Sequence, residues 1–360
     1  MEAVPTNHIA TDHSALPLRR RRRRRRPLAR PSKRVRNRSG HIRAKGEDYL
    51  PAVSPPPLAN SSAIEAEDSA NAPPPAPWRA PDPRGLAYGI VSLMGRRRNM
   101  EDAAVAVTGL AAGPHGYFAV YDGHGGAMVA QACCNRLHVA VEDEVRRRAV
   151  AEDGEGVEAW KRAMVAGFAR VDAEVMAETR ELRIGLVGST AVVAVVTEKW
   201  IIVANCGDSR AVLFRGGVAM PMSSDHKPDR PDELRRVEAL GGKVLYWDCP
   251  RVLGVLATSR SFGDYFLKPF VSSEPEFAVI ERSDEDQFLI LASDGLWDVM
   301  SNGMVCRVVK KCLEEKPSDS DNAALDGVSH SAVRDAAGLL ARLAICRGSD
   351  DNVTVLLVVF

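Results

Sequence analysis

The segments that most restrict this fold are apolar runs with no polar face, of which Val192-Val193-Ala194-Val195-Val196 is the clearest. A strand points successive side chains to opposite faces. A strand without polar residues therefore has to be covered on both sides. The pattern predicts strands at 87–93, 104–108, 116–121, 189–197, 200–205, 211–214, 277–280, 287–292 and 352–360. It predicts helices at 127–149, 157–179, 232–240, 302–314 and 332–345, with Ser301 and Ser331 in N-cap positions. Strands are many and β-α-β alternations few, which favours stacked sheets flanked by helices over a doubly wound sheet. Residues 85–360 contain no later linker and read as one domain.

Composition sets the class. Hydrophobic residues make up 45% of the chain and charged residues 26%, the balance of a soluble globular protein with a sizeable core. No run approaches the ~18 apolar residues of a membrane span, and the N-terminus lacks a signal-peptide apolar core. The seven cysteines form no CxxC pair and no disulfide framework, so a reducing compartment is expected.

The net charge of +1 conceals an asymmetry. Residues 1–84 hold 17 Lys and Arg against 8 Asp and Glu; residues 85–360 hold 31 against 39. Arg19 to Arg26 is an unbroken run of eight arginines, and Arg30, Lys33, Arg34, Arg36 and Arg38 follow it. Such a segment repels itself and offers no apolar face, so disorder is expected. Residues 51–83 contain ten prolines and read as an extended linker. The run is read as a nuclear import address taken up by an acidic importin groove, which predicts the nucleus, with the cytoplasm as a second compartment. Binding nucleic acid through phosphate neutralisation is the weaker alternative, and a solvated tail without an address is the bland one. An organelle transit peptide is disfavoured by Glu2, Asp12 and the lack of an amphipathic stripe.

The chemistry of the acidic body sits in short segments where carboxylates meet glycine and strand ends. These are Arg96-Arg97-Arg98-Asn99-Met100-Glu101-Asp102, Tyr121-Asp122-Gly123-His124-Gly125-Gly126, Cys206-Gly207-Asp208-Ser209-Arg210, Ser293-Asp294-Gly295-Leu296-Trp297-Asp298 and Ser349-Asp350-Asp351-Asn352. Singly each has a plain explanation: Asp-Gly is a common turn, Asp298 can cap a helix, and Arg96-Arg97-Arg98 can be a solvated turn. Five such motifs in one domain are harder to dismiss. Oxygen donors without a Cys/His cluster point to magnesium or manganese rather than structural zinc.

With Gly188-Ser-Thr, Asp225-His-Lys-Pro228 and Thr258-Ser-Arg-Ser-Phe-Gly-Asp264 added, the ordered set of motifs resembles the metal-dependent protein phosphatases of the 2C type across essentially all of residues 85–360. The resemblance implies an α+β fold, a central antiparallel two-sheet β-sandwich flanked by α-helices, and a monomer. It implies two Mg2+ or Mn2+ ions per active site, bridged by Asp122. The Gly123 carbonyl would bind one ion and Asp294 and Asp351 the other, with Glu101 holding metal waters. Asp208 and Asp298 match positions of a third, looser ion. Arg97 matches the arginine that grips the substrate phosphate and His124 the general acid, so Arg97, Asp122 and His124 form the catalytic set. Paired divalent ions suit so slow a hydrolysis, since they acidify water and clamp phosphoryl oxygens. Asp350 adds a negative charge beside Asp351 and is expected to alter metal affinity. A cysteinyl-phosphate route is not supported, because no HCxxGxxR-like loop is present.

A narrower resemblance concerns 241–257, where Trp247 precedes Arg251 by four residues. It is similar to the plant clade A phosphatases of abscisic acid signalling, in which this tryptophan projects from a flap and inserts between the gate loops of the hormone receptor. An exposed indole is a common interface anchor. That resemblance implies phosphorylated stress-activated kinases as substrates, soluble abscisic acid receptors as inhibitors, and Trp247 and Arg251 as receptor-binding residues. Trp247 buried as a core residue, as Trp160 and Trp200 are expected to be, is the competing reading. Asp248-Cys249-Pro250 and Leu253 depart from the group's usual flap. A 2C-type phosphatase outside hormone control is therefore the alternative, alongside a nucleic-acid-binding protein that acts through the arginine tail. The intact Asp122, Asp294 and Asp351 argue against a catalytically dead scaffold.

Overall fold

The computed structural model describes residues 86–111, 113–149, 156–314 and 329–360. The arginine run and the proline-rich segment of the expected 1–84 tail lie outside the described residues. In chain order the strands are β1 (Ala87–Leu93), β2 (Ala103–Leu110), β3 (His115–Tyr121), β4 (Gly123–His124), β5 (Gly188–Ser189), β6 (Ala191–Val196), β7 (Trp200–Cys206), β8 (Arg210–Arg215), β9 (Val218–Pro221), β10 (Val244–Tyr246), β11 (Pro250–Val252), β12 (Phe262–Gly263), β13 (Glu276–Glu281), β14 (Asp286–Ala292) and β15 (Val353–Val359). The helices are α1 (Met128–Ala149), α2 (Val157–Leu182), α3 (Pro231–Ala239), α4 (Asp294–Trp297), α5 (Asn302–Glu314) and α6 (His330–Cys346).

Two five-stranded antiparallel sheets form the centre, in the orders β1-β15-β14-β8-β9 and β13-β7-β6-β3-β2. The apolar runs explain the stacking. In β15 every residue is buried: Leu356 and Val358 pack toward the other sheet, against a cluster that includes Phe118, Val192 and Ile201. Val353, Val355, Leu357 and Val359 face α4, α5 and α6. In the second sheet Val193, Val195, Ile202 and Ala204 face away, with Phe168, Met164 and Leu137 of α1 and α2. The result is four layers, helix–sheet–sheet–helix, as the two-faced burial required.

Two expectations need correction. The strand expected at 189–197 is two strands, because Thr190 leaves the ladder: its N–H donates to the Asp122 carbonyl at 2.9 Å and its hydroxyl accepts from Asp122 N at 3.2 Å. The cap of α6 is Ser329, not Ser331; its Oγ accepts from Ala332 N at 3.2 Å. Ser301 does precede α5, where its carbonyl accepts from Met304 and Val305. Trp160 is buried as expected, and Trp200 is partly buried, packed against the same cluster with the Lys199 ammonium over its ring.

Candidate active site

The acidic motifs converge because both sheets end on the same side. On one sheet β3 ends at Tyr121 and Asp122 follows, locked to Thr190 by the paired bonds above. The Thr190 hydroxyl meets that of Ser209 at 2.8 Å, which ties this rim to the Asp208 turn. Gly123 lies against the Glu101 backbone, where a Cβ would stand 2.3 Å from the Glu101 carbonyl oxygen. Only glycine allows that approach. On the other sheet β14 ends at Ala292, and Asp294 opens the single turn of α4. Ser293 Oγ donates to Asp102 Oδ2 at 2.9 Å and accepts from Thr354 N at 3.0 Å. Buried Asn352 staples the arginine loop: its amide donates to the carbonyls of Met94 and Asn99 and accepts from Glu101 N at 2.8 Å.

The electrostatics show that these carboxylates share one space. Burial pushes Asp122 well above the ordinary carboxylate range, and Asp294, Asp102, Asp208 and Asp351 push it further. Asp294 is raised by burial and then by Asp208, Asp298 and Asp351. Burial lifts Asp102 to about 6, and its Oδ1 is buried without a hydrogen-bond partner. Asp298 is raised as well, chiefly by desolvation. The opposing cations are few. Lys227 Nζ lies 2.5 Å from Asp208 Oδ2, and burial of that ammonium is outweighed by Asp208, so its pKa rises. Arg97 Nη2 lies 2.5 Å from Asp351 Oδ2. Clustered oxygen donors in excess of their counter-charges, one of them orphaned, fit a divalent cation in chemistry.

Among the described residues, the carboxylates whose oxygens all come within 4.8 Å of one another are a second group, Asp232, Glu233 and Glu276. It differs in its neighbours. Glu233 accepts from Arg236 and Arg260, each at 2.7 Å, and from Ser259 at 2.6 Å, while Arg230 pairs with Asp232 and Glu276. Its charge is already balanced, so it is an ion-pair network that fixes α3 to β13.

Arg97 is half-exposed and His124 partly buried, with its Nε2 at 2.7 Å from Asp264 Oδ2. Asp350 does not add a bare charge to the site: it is exposed and paired to Arg96 at 2.7 Å. Asp298 closes α4 as its C-cap rather than capping the helix after it. Trp247 and Arg251 lie elsewhere, on the β10–β11 hairpin, whose base packs Val252 against Val237, Leu267 and Val271. Trp247 is 76% exposed, so the core reading of this residue fails. Arg251 is engaged locally, with Asp248 at 3.3 Å and the Val255 carbonyl at 3.1 Å, and it lowers Asp248 to about 2. These partners lie in the hairpin and in the turn that follows it, not in the acidic cluster.

Sequence reasoning assigned no role to Asp102, Lys227, Asn352 or Asp264. Each stood inside a quoted motif, so the signal was present, but the contact that gives each its place is long-range.

Comparison with known proteins agrees with this architecture. The family model for Protein phosphatase 2C matches residues 86–353. The rice (Oryza sativa subsp. japonica) protein Probable protein phosphatase 2C 8 is 47% identical, covering 96% of this chain and 94% of its own length. The Arabidopsis thaliana protein Probable protein phosphatase 2C 24 is 49% identical, covering 75% of this chain and 78% of its own. Among solved structures, one described as a C. elegans sex determining protein superposes with TM-score 0.67 at 26% identity, over 76% of this chain and 65% of that one. The Toxoplasma gondii serine-threonine phosphatase 2C superposes with TM-score 0.67 at 22% identity, over 79% and 98%, and speaks to the fold alone. The chain belongs to the protein phosphatase 2C family and is a protein serine/threonine phosphatase.

Proposed function

We propose that the acidic cluster holds two divalent ions, Mg2+ or Mn2+, and that this is the phosphatase centre. The observation that carries the reading is the excess of mutually repelling carboxylates where both sheets end. Asp122, the Gly123 carbonyl, Asp294 and Asp351 would hold the ions, Glu101 their waters, and Asp208 with Asp298 a third, weaker ion. Such ions supply acidified water and Lewis-acid stabilisation of phosphoryl charge. The chain's own residues do the rest. Arg97, already aimed at Asp351 and half-exposed, offers its fork to the phosphate oxygens. Water adds to phosphorus as the bond to the serine or threonine oxygen cleaves. That oxygen keeps the bonding pair and takes the proton held by His124.

The regulatory reading rests on the hairpin. An indole exposed at the tip of a two-stranded hairpin, beside exposed Tyr246, suits insertion into a partner. With the clade A resemblance, this supports soluble abscisic acid receptors as hormone-dependent inhibitors and phosphorylated stress-activated kinases as substrates. The arginine tail supports importin binding and a nuclear location, and the enzyme is read as a monomer. The test is hydrolysis of a phosphothreonine peptide in manganese, titrated with a soluble abscisic acid receptor with and without hormone. Inhibition that needs both, and is lost in Trp247→Ala with activity retained, supports the circuit. Inhibition unchanged in that variant, or absent in the parent, refutes it and leaves a 2C phosphatase outside hormone control.

A further inference from the structure

The segment Thr258-Ser-Arg-Ser-Phe-Gly-Asp264 has no part in the chemistry above, yet its last residue stands behind His124. Asp264 is 1% exposed. One of its oxygens, Oδ2, lies 2.7 Å from His124 Nε2 and accepts from Ser261 Oγ at 2.6 Å. We propose that Asp264 is the positioning residue of His124, holding the ring by Nε2 so that Nδ1 is the nitrogen left for the substrate. This rests on the reading of His124 as the proton donor.

Three observations support a built arrangement. The first is backbone conformation. Asp264 is left-handed, at φ 48° and ψ 43°, a state in which any Cβ crowds the following carbonyl. Such outliers persist where the surroundings hold them, and here Asp264 N donates to Val187 O at 3.1 Å and Leu267 N to Asp264 O at 2.7 Å.

The second is a missing side chain. His124 and Gly263 both pair with Gly188, the central position of the β4-β5-β12 sheet. A Cβ on Gly188 would stand 2.1 Å from Asp264 Oδ2 and 2.5 Å from His124 Nε2. The two side chains can meet only because residue 188 is glycine.

The third is a brace from another layer. Asp172 of α2, 5% exposed, accepts from Gly263 N at 2.8 Å, Lys268 Nζ at 3.0 Å and Ser273 Oγ at 2.8 Å. It fixes the backbone immediately before Asp264. A carboxylate that orients an imidazole from behind is a recurring device in acid–base sites. Asp264 itself does not touch the reacting atoms.

The experiment compares His124→Ala, Asp264→Gly, Asp264→Asn and Gly188→Ala in the full chain, with manganese, on two substrates. A phosphothreonine peptide has a poor leaving group that needs a proton; p-nitrophenyl phosphate does not. Asp264→Gly and Gly188→Ala are expected to lower kcat on the peptide about 10- to 100-fold, a part of the roughly 100- to 10,000-fold that general acid catalysis contributes, because His124 itself remains. KM should stay within about twofold and p-nitrophenyl phosphate turnover within about threefold, because the proton matters little there. Asp264→Asn, which tolerates the left-handed backbone and keeps an acceptor, should show a smaller loss with the same selectivity. If His124→Ala is peptide-selective and Asp264→Gly and Gly188→Ala are not, the inference is overturned. If His124→Ala is itself unselective, the reading of His124 falls first. A second readout needs no variant to be active. Long-range 1H–15N spectra of the metal-free parent, with His124 identified by its absence in His124→Ala, should show Nε2 protonated in the neutral ring. An Nδ1-protonated ring would overturn the proposal even if the other variants fail to fold.

Discussion

The metal-free protein should become more stable when Asp102 is replaced by asparagine. Asp102 is buried, and burial lifts its pKa from 3.8 to about 6. Each pKa unit is worth ~1.36 kcal/mol, so a rise of this size opposes folding by about 3 kcal/mol once the group is ionised in both states. The neighbouring carboxylates titrate with it, which makes this an upper figure. The sign follows from the direction. A carboxyl whose folded pKa is raised binds its proton more tightly in the native state, so stability falls as pH rises from about 3.8 through about 6 and stays low above. The Asp102→Asn side chain keeps an acceptor for Ser293 Oγ and removes the charge. Urea denaturation in chelator at pH 7.5 should show a gain of about 2–3 kcal/mol, and at pH 4 almost none. In excess manganese the order should narrow or reverse, because the parent gains about 2.7 kcal/mol at a hundredfold excess over Kd and the variant less. A variant no more stable than the parent at pH 7.5 without metal would refute the claim that the fold holds the Asp102 carboxylate buried against the cost of its charge.

Three further outcomes follow from the same geometry. Glu233→Gln leaves partly buried Arg236 without its carboxylate and partly buried Arg260 with Glu276 alone, at 3.4 Å, and should cost about 3–5 kcal/mol by urea denaturation; a loss under about 1 kcal/mol would mean solvent screens the network. That contribution should be present above about pH 4.5 and fade as pH falls below it, since burial, which would raise Glu233, is overcome by the arginines and Ser259, which hold it well below its ordinary range. Gly123→Ala should destabilise by about 2 kcal/mol or more, because the new Cβ meets the Glu101 carbonyl; unchanged melting would contradict that contact. Trp247→Ala should move stability by less than about 0.5 kcal/mol, and a larger loss would mean the indole packs on the fold.

The layers of the fold were legible because burial on two faces leaves a local trace. Val192–Val196 had to lie between layers, and the same logic found β1 and α5 with their observed bounds. What escaped were elements made by partners rather than by their own residues. β4, β5 and β12 are two residues each, and pair only because Gly123, Gly188 and Gly263 come together from distant segments. β10 and β11 are three residues each with partly exposed sides, so no alternation marks them. The site divides the same way. Asp122, Asp294 and Asp351 stood at strand ends beside glycine or asparagine, a pattern local enough to read. Asp264 meets His124 across 140 residues, and nothing near either one announces the other. The charge of Asp350 looks bare in the sequence because its partner, Arg96, lies 254 residues away.

The central claim is that the carboxylates at the sheet ends, and not the balanced group between α3 and β13, bind the divalent ions. A calorimetric manganese titration of the parent, Asp122→Asn and Asp232→Asn tests it most directly. The account predicts that Asp122→Asn loses the tightest binding while Asp232→Asn matches the parent. Tight binding retained in Asp122→Asn, or lost in Asp232→Asn, would contradict it.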